Sequence, residues 1–287
     1  MPNPERDRYF RNQPHRVPLG YEQFAGDKQF ATTLARGIEL LRCFTAQDTE
    51  LSNAEISLRT GLPRPTVSRL TYTLTLLGYL RHNAHSRRYE PGSALISATY
   101  PLMASLRLRQ PARALMNALA DATGGHVSMG IRDRLDIVLV ETSRQPLPEH
   151  ARGPMADIGL ALPLVGSAIG RAYLAGCDRA AREALLNEIR IKTPDDWAQF
   201  SPGLRNAFAE HARHGFCAVE GDLVRDVLAV GASCGSVRGV QVVFNCAFMR
   251  SAAPARGGSQ WLKREIGPQL AAMVQQLRGH TAAARRA

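Results

Sequence analysis

Residues 51–80 read LSNAEISLRTGLPRPTVSRLTYTLTLLGYL, two helical patterns with a single turn between them. Ser52 can cap the first helix, and Glu55, three residues on, can complete a capping box. Gly61 stands where a left-handed residue closes a helix. Pro63 and Pro65 fall in the first turn of the second helix, where a missing N–H costs nothing. Val67, Leu70, Leu74 and Leu77 recur at helical spacing as one apolar stripe, and Gly78 ends the pattern. With about 100° between successive residues, Pro65, Ser68, Arg69 and Tyr72 point the other way. Such a helix buries one face and offers small, hydroxyl and guanidinium groups from its N-terminal half, which is what entry into a major groove requires.

The residues that follow read as a wing. Residues 79–82 and 87–89 are short strand candidates, and Asn83, Ala84, His85 and Ser86 form a turn by composition. From Ile56 to Tyr89 there are six Arg and no Asp or Glu. A field of one sign over so small a surface is the footprint of phosphate binding. On this reading Arg64, Arg69, Arg81, Arg87 and Arg88 meet phosphates or a minor groove, while Thr66, Ser68, Arg69 and Tyr72 face base edges. The bland alternative is a solvated basic face on an ordinary helical hairpin.

The whole chain sets wider bounds. Its 287 residues allow two domains with proper cores, and a formal net charge of +11 favours a polyanionic partner. No apolar run approaches the length of a membrane span, and the first residues are polar with no signal-peptide core. The five Cys, at 43, 177, 217, 234 and 246, include no CxxC pair, so neither a disulfide framework nor a zinc site is expected. Reduced thiols in a cytoplasm are the simplest reading. His211 and His214 lack the Glu of a zincin motif, and there is no G-x-S-x-G, P-loop or dinucleotide fingerprint. Neither catalysis, a metal nor a cofactor is therefore expected.

Residues 1–28 are rich in charge and proline and read as a disordered arm, whose Arg6, Arg8, Arg11 and Arg16 could touch a nucleic-acid backbone. Thr33 can cap the next helix, with Leu34, Ile38 and Leu41 as its apolar stripe. The run ARGIELLRCF at 35–44, the two-helix stretch with its core LPRPTVSRL, then GYL at 78–80 and YEPG at 89–92 together resemble the DNA-binding domain of the IclR family of bacterial transcriptional regulators. Pro65 stands where that pattern usually has a small hydroxyl residue. The resemblance implies a winged helix-turn-helix over 29–92, a linker helix over 93–109 and an effector-binding domain over 110–287. It also implies an operator in double-stranded DNA and self-association, through the DNA-binding domains and linker helices, as a dimer or dimer of dimers. Ser93 can cap the linker helix, and Leu95, Ile96, Leu102, Met103 and Leu106 supply its apolar face. Pro101 lies inside it and predicts a break or kink near Thr99 and Tyr100.

The second half reads as α+β: a helix over 110–122, strands over 126–131 and 135–142, and a loop over 143–157. Helices over 178–190 and 202–214, strands over 227–233 and 239–249 and a closing helix over 259–277 follow. The stretch GLALPLVGSAIGRAYLA at 159–175 closely matches the family pattern in which a strand leads into a helix. The resemblance covers nearly all of 32–277 and implies a GAF-like fold that binds small organic acids, aromatic ones among them. Physically, the helix start at Gly166, Ser167 and Ala168 offers free N–H groups to a carboxylate, although Gly and Ser there also suit a tight strand-to-helix connection. The resemblance adds to the pocket Ala229 and, in a register open by one residue, a polar pair covered by Asn245, Cys246 and Ala247. Met129 reads as core rather than pocket. Asp222 and Asp226 read as surface partners of Arg225. Two rival readings remain: a second domain that serves assembly only, and an enzyme on a GAF-like scaffold.

Overall fold

The computed structural model describes residues 24, 26–46, 48–145, 157–237, 239–252 and 258–283; the expected arm lies outside these through residue 23, and so does most of the expected loop at 143–157. The chain divides into two compact units, Met1–Ser105 and Leu106–Ala287.

The first unit packs α1 (Thr32–Leu41), α2 (Asn53–Thr60) and α3 (Arg64–Leu76) beside a hairpin of β1 (Leu80–Asn83) and β2 (Arg88–Pro91), and ends with α4 (Ala94–Ser105). Its core is Leu40, Cys43, Phe44, Leu51, Ile56, Val67 and Leu80, with Leu62, Leu70, Leu74 and Tyr89 packed around it. The capping box forms: the Ser52 hydroxyl accepts from the Glu55 N–H at 3.3 Å, and Glu55 accepts from the Ser52 N–H at 2.8 Å. Gly61 takes φ 68°, the left-handed closure that a Cβ would resist. Pro63 takes the N-cap position of α3 and only Pro65 lies inside its first turn.

Four local expectations need correction. Thr33 caps nothing; the N-cap of α1 is Ala31, without a side-chain bond. Leu34 and Ile38 are 64% and 49% exposed, because α1 turns Gly37 and Leu40 inward instead. Leu77 is exposed, and the buried place on that face of α3 belongs to Thr71, whose hydroxyl donates to the Val67 carbonyl at 3.0 Å. Of the break or kink expected at Pro101, the break is absent: α4 runs through it to Ser105. Proline removes the one donor that would reach the Ser97 carbonyl, and Ser97 is exposed, so water can take that place. The helical run stops instead at residues 106–108.

The second unit is built on a six-stranded antiparallel sheet, ordered β5-β4-β3-β8-β7-β6. Its strands are β3 (His126–Asp133), β4 (Asp136–Ser143), β5 (Ala161–Pro163), β6 (Cys217–Glu220), β7 (Val227–Val237) and β8 (Val240–Met249). The helices are α5 (Arg109–Thr123), α6 (Ala168–Gly176), α7 (Arg179–Lys192), α8 (Pro194–Phe200), α9 (Leu204–His214), α10 (Gly258–Trp261) and α11 (Gly267–Ala283). α8 was not foreseen. α6 lies against β7 and β8 and carries α9, while α5 and α11 pack together against the sheet. The last hairpin is longer than expected: β7 continues through the anticipated loop to Val237, with an irregularity between Ser233 and Gly235. Between α10 and α11, Leu262–Ile266 forms a π turn just before Pro268, which has no N–H to continue an α ladder.

Candidate functional site

In the first unit, α3 carries Arg64, Ser68, Arg69 and Tyr72 exposed on one side, with Thr66 half-buried, while Val67 and Thr71 anchor the helix to the core. The wing hairpin pairs Leu80 with Pro91 and Asn83 with Arg88, and Arg87 closes its turn at φ 55°. The basic field is not uniform. Arg59 pairs with Asp48 at 2.9 Å and donates to the Cys43 carbonyl at 2.8 Å. Arg81 pairs with Glu90, which also accepts from Asn83 at 3.3 Å. Arg88 pairs with Glu55, the capping-box carboxylate. Arg88 and the hydroxyl and N–H of Ser52 hold the Glu55 carboxyl down to about 2, far below the usual carboxylate range. Three guanidiniums of the field, Arg64, Arg69 and Arg87, are exposed and have no carboxylate partner among the described residues.

In the second unit, the expected residues separate onto two faces of the sheet. Strand pairing sets Val219 opposite Ala229, Ala229 opposite Ala247 and Ala247 opposite His126. The next row on that face runs from Gly231 through Asn245 and Ser128 to Thr142. Ala168 packs with Val219, Ala229 and Ala247, so the α6 start and Ala229 do meet. A Cβ on Gly231 would stand 2.1 Å from the Ala168 carbonyl oxygen, so the first turn of α6 rests directly on the strand. Asn245 is next in this row, 5% exposed, and its Oδ1 has no hydrogen-bond partner among the described residues. Cys246 points to the opposite face, 3.9 Å from the Thr123 hydroxyl, where burial pushes its thiol up to about 12. It is therefore separated from the Ala229 and Asn245 group by strand alternation. Met129, opposite Phe244, lies on that same far face and is fully buried.

The Ser167 hydroxyl is committed within the fold. It donates to the Pro163 carbonyl at 2.7 Å and accepts from the Gly170 N–H at 3.0 Å, and its carbonyl accepts from Arg171. Among the described residues the amides of Ala168 and Ile169, donors of the α6 first turn, have no hydrogen-bond acceptor. Gly166 faces Phe200 and Leu223 instead. Buried Arg171 donates to the Val165 carbonyl at 2.7 Å and pairs with Asp222 at 2.7 Å, so Asp222 is not a surface partner of Arg225. Four side chains of this face were not foreseen. Ser128 accepts from Thr142 at 3.3 Å, Val219 joins the apolar group, and His126 has its pKa lowered by burial and then by Arg144. Only strand register reveals them. Among the described residues no group of three His, Cys, Asp or Glu could hold a metal, and no helix is long and apolar enough to cross a membrane.

A winged helix-turn-helix unit followed by an α+β unit with a curled antiparallel sheet defines a class of DNA-binding regulators. Residues 33–84 match the IclR helix-turn-helix domain, and residues 101–253 match the bacterial transcriptional regulator IclR C-terminal domain. The chain belongs to the IclR family of transcriptional regulators. It is 34% identical over 256 residues to the HTH-type transcriptional regulator TsaQ1/TsaQ2 of Comamonas testosteroni, covering 88% of this chain and 89% of that one. The crystal structure of an IclR family regulator from Brucella abortus superposes with a TM-score of 0.77 at 37% identity, covering 92% of this chain and 98% of the other. An IclR homologue from Microbacterium hydrocarbonoxydans, solved as a complex with 4-hydroxybenzoate, shares the fold with a TM-score of 0.64 at 21% identity, covering 86% and 99%.

Proposed function

We propose that the chain is a cytoplasmic regulator that reads an operator in double-stranded DNA through α3 and its wing. The observation that carries this is the exposed face of α3, with Arg64 and Arg69 and the wing residue Arg87 free of carboxylate partners among the described residues. Arg64, Arg69 and Arg87 meet phosphates or a minor groove, and Thr66, Ser68, Arg69 and Tyr72 meet base edges. Arg81 and Arg88 hold the wing through Glu90 and Glu55 and contribute less to DNA. One copy reads only a few base pairs, so the protein acts as a dimer on paired half-sites. Exposed Leu34 and Ile38 on α1 and Ile96, Tyr100 and Leu102 on α4 support self-association through the first unit.

The second unit then senses a small organic acid. Its carboxylate meets the amides of Ala168 and Ile169 beside Gly166 and Ser167, and its body lies against Ala229 and Ala247 near Asn245. The homologue that holds 4-hydroxybenzoate supports an aromatic acid. Selection of bound fragments from sheared genomic DNA tests the DNA reading; a thermal-shift screen of small acids against the whole protein tests the effector reading. A protein that retains its operator but shifts with no acid would leave the second unit as an assembly module.

A further inference from the structure

The start of α3 is poor in amides. Pro63 is its N-cap and Pro65 its second residue, so of the first four positions only Arg64 and Thr66 carry an N–H. A helix start that grips a phosphate does so with free amides, and proline has none to give. This end of the helix is nevertheless fixed to the protein: the Val67 N–H donates to the Pro63 carbonyl at 3.1 Å, and Val67 is fully buried. Pro65 faces solvent. At about 100° per residue it lies within about 60° of Ser68, Arg69 and Tyr72, all exposed, and across the helix from the side that Val67 buries. Of Arg64, Pro65, Ser68, Arg69 and Tyr72, Pro65 alone has a side chain with neither donor nor acceptor.

We propose that Pro65 is a specificity-determining residue, its ring packed on the 5-methyl group of one thymine in each operator half-site. This rests on the DNA reading above and adds a base identity to it. In a helix-turn-helix the N-terminal residues of the second helix lie against base edges in the major groove. Over a polar edge, a pyrrolidine ring leaves a desolvated donor or acceptor without a partner, which weakens binding. Over a thymine it meets the methyl group, the apolar mark of the major groove, and both surfaces leave water together. The ring has no rotamer freedom to lose in making the contact. Ser68 and Arg69, one turn further along the same face, supply hydrogen bonds to the bases beside it.

The test uses the duplex most enriched from sheared genomic DNA, resynthesised with deoxyuridine for thymidine at one position of each half-site at a time. That exchange removes the 5-methyl group and nothing else. At one such position the full chain binds about sixteenfold more weakly, about fourfold for each buried methyl lost. Cytosine there weakens binding further, and 5-methylcytosine regains the share of the methyl. Pro65→Ser binds the thymidine and deoxyuridine duplexes equally. Thr66→Ser, which removes the methyl of the next residue on α3, keeps the difference. Pro65→Ala, whose Cβ reaches less far than the ring, lowers the ratio in part, and it reads the same ratio should Pro65→Ser fail to fold. Absence of any deoxyuridine-sensitive position, or a sensitivity undiminished by substitution of Pro65, overturns this inference and leaves the DNA reading standing. Retention of no duplex overturns both.

Discussion

The Glu55–Arg88 pair ties the wing to the start of α2, and Glu55→Gln isolates that tie. Gln keeps a capping-box side chain, so the substitution removes the charge and little else. The Glu55 carboxyl is held at about 2, against 4.5 for a free Glu. Taken at face value, that shift amounts to about 3 kcal/mol. The pair is partly open to water, however, with Glu55 42% and Arg88 32% exposed, and screening reduces the contribution to about 1 kcal/mol. The folded pKa lies below the unfolded one, so this stability is fully present above about 4.5 and is lost as pH falls toward 2. Hydrogen exchange reads it locally. The Leu51 N–H donates to the Tyr89 carbonyl at 2.9 Å and the Tyr89 N–H returns the bond at 2.8 Å, an isolated bridge that joins the residue before Ser52 to the wing. At pH 7 these two amides exchange roughly fivefold faster in Glu55→Gln, the rate equivalent of about 1 kcal/mol. Arg88→Ala gives a similar increase, and the double variant adds little to either. Equal protection in wild type and Glu55→Gln at pH 7 would refute the coupling.

Arg87→Ala lowers the salt slope of DNA affinity by about 0.9, the value of one released phosphate contact, whereas Arg88→Ala lowers it by much less because Glu55 already neutralises it; affinities at several salt concentrations separate the two. Ser167→Ala removes the α6 cap and lowers stability by about 1 kcal/mol in chemical denaturation followed by the fluorescence of Trp197 and Trp261, both in the second unit. Glu141→Ala strands Arg109 and Arg113, which lie 2.7 and 2.8 Å from its carboxylate, and costs about 2 kcal/mol by the same measurement. That is less than the cost of breaking a fully buried pair, because Arg113 is half-exposed.

Signals confined to a few residues were legible in the sequence. Ser52 with Glu55, and Gly61, specify their caps through spacings of three residues and a left-handed φ, and all appear where expected. The two Asp-flanked strands of the β3–β4 hairpin and the Ser167 helix start were equally local. Arginine partners were not legible, because a charge count over 56–89 stops one residue short of Glu55 on one side and Glu90 on the other. Neither was the face of each pocket strand. Whether Asn245 or Cys246 joins Ala229 depends on the pairing of Gly231 with Asn245 across 14 residues, including a bulge that no local pattern encodes. Ser128 and Thr142 enter the same row only through β3 and β4, each more than 100 positions from Asn245. Pro101 misled for a different reason: a missing donor breaks a helix only when the stranded carbonyl has no other partner, and exposure of Ser97 lay outside what the sequence displays.

The central claim is that α3 reads DNA, and selection of genomic fragments at low salt with wild type and Arg69→Ala side by side tests it most directly. Wild type is expected to enrich a small set of duplexes with paired half-sites, and Arg69→Ala to bind more weakly and with relaxed preference at the bases it faced. Retention of no duplex by the wild-type protein, or enrichment of the same sequences at the same affinity by Arg69→Ala, would contradict the account.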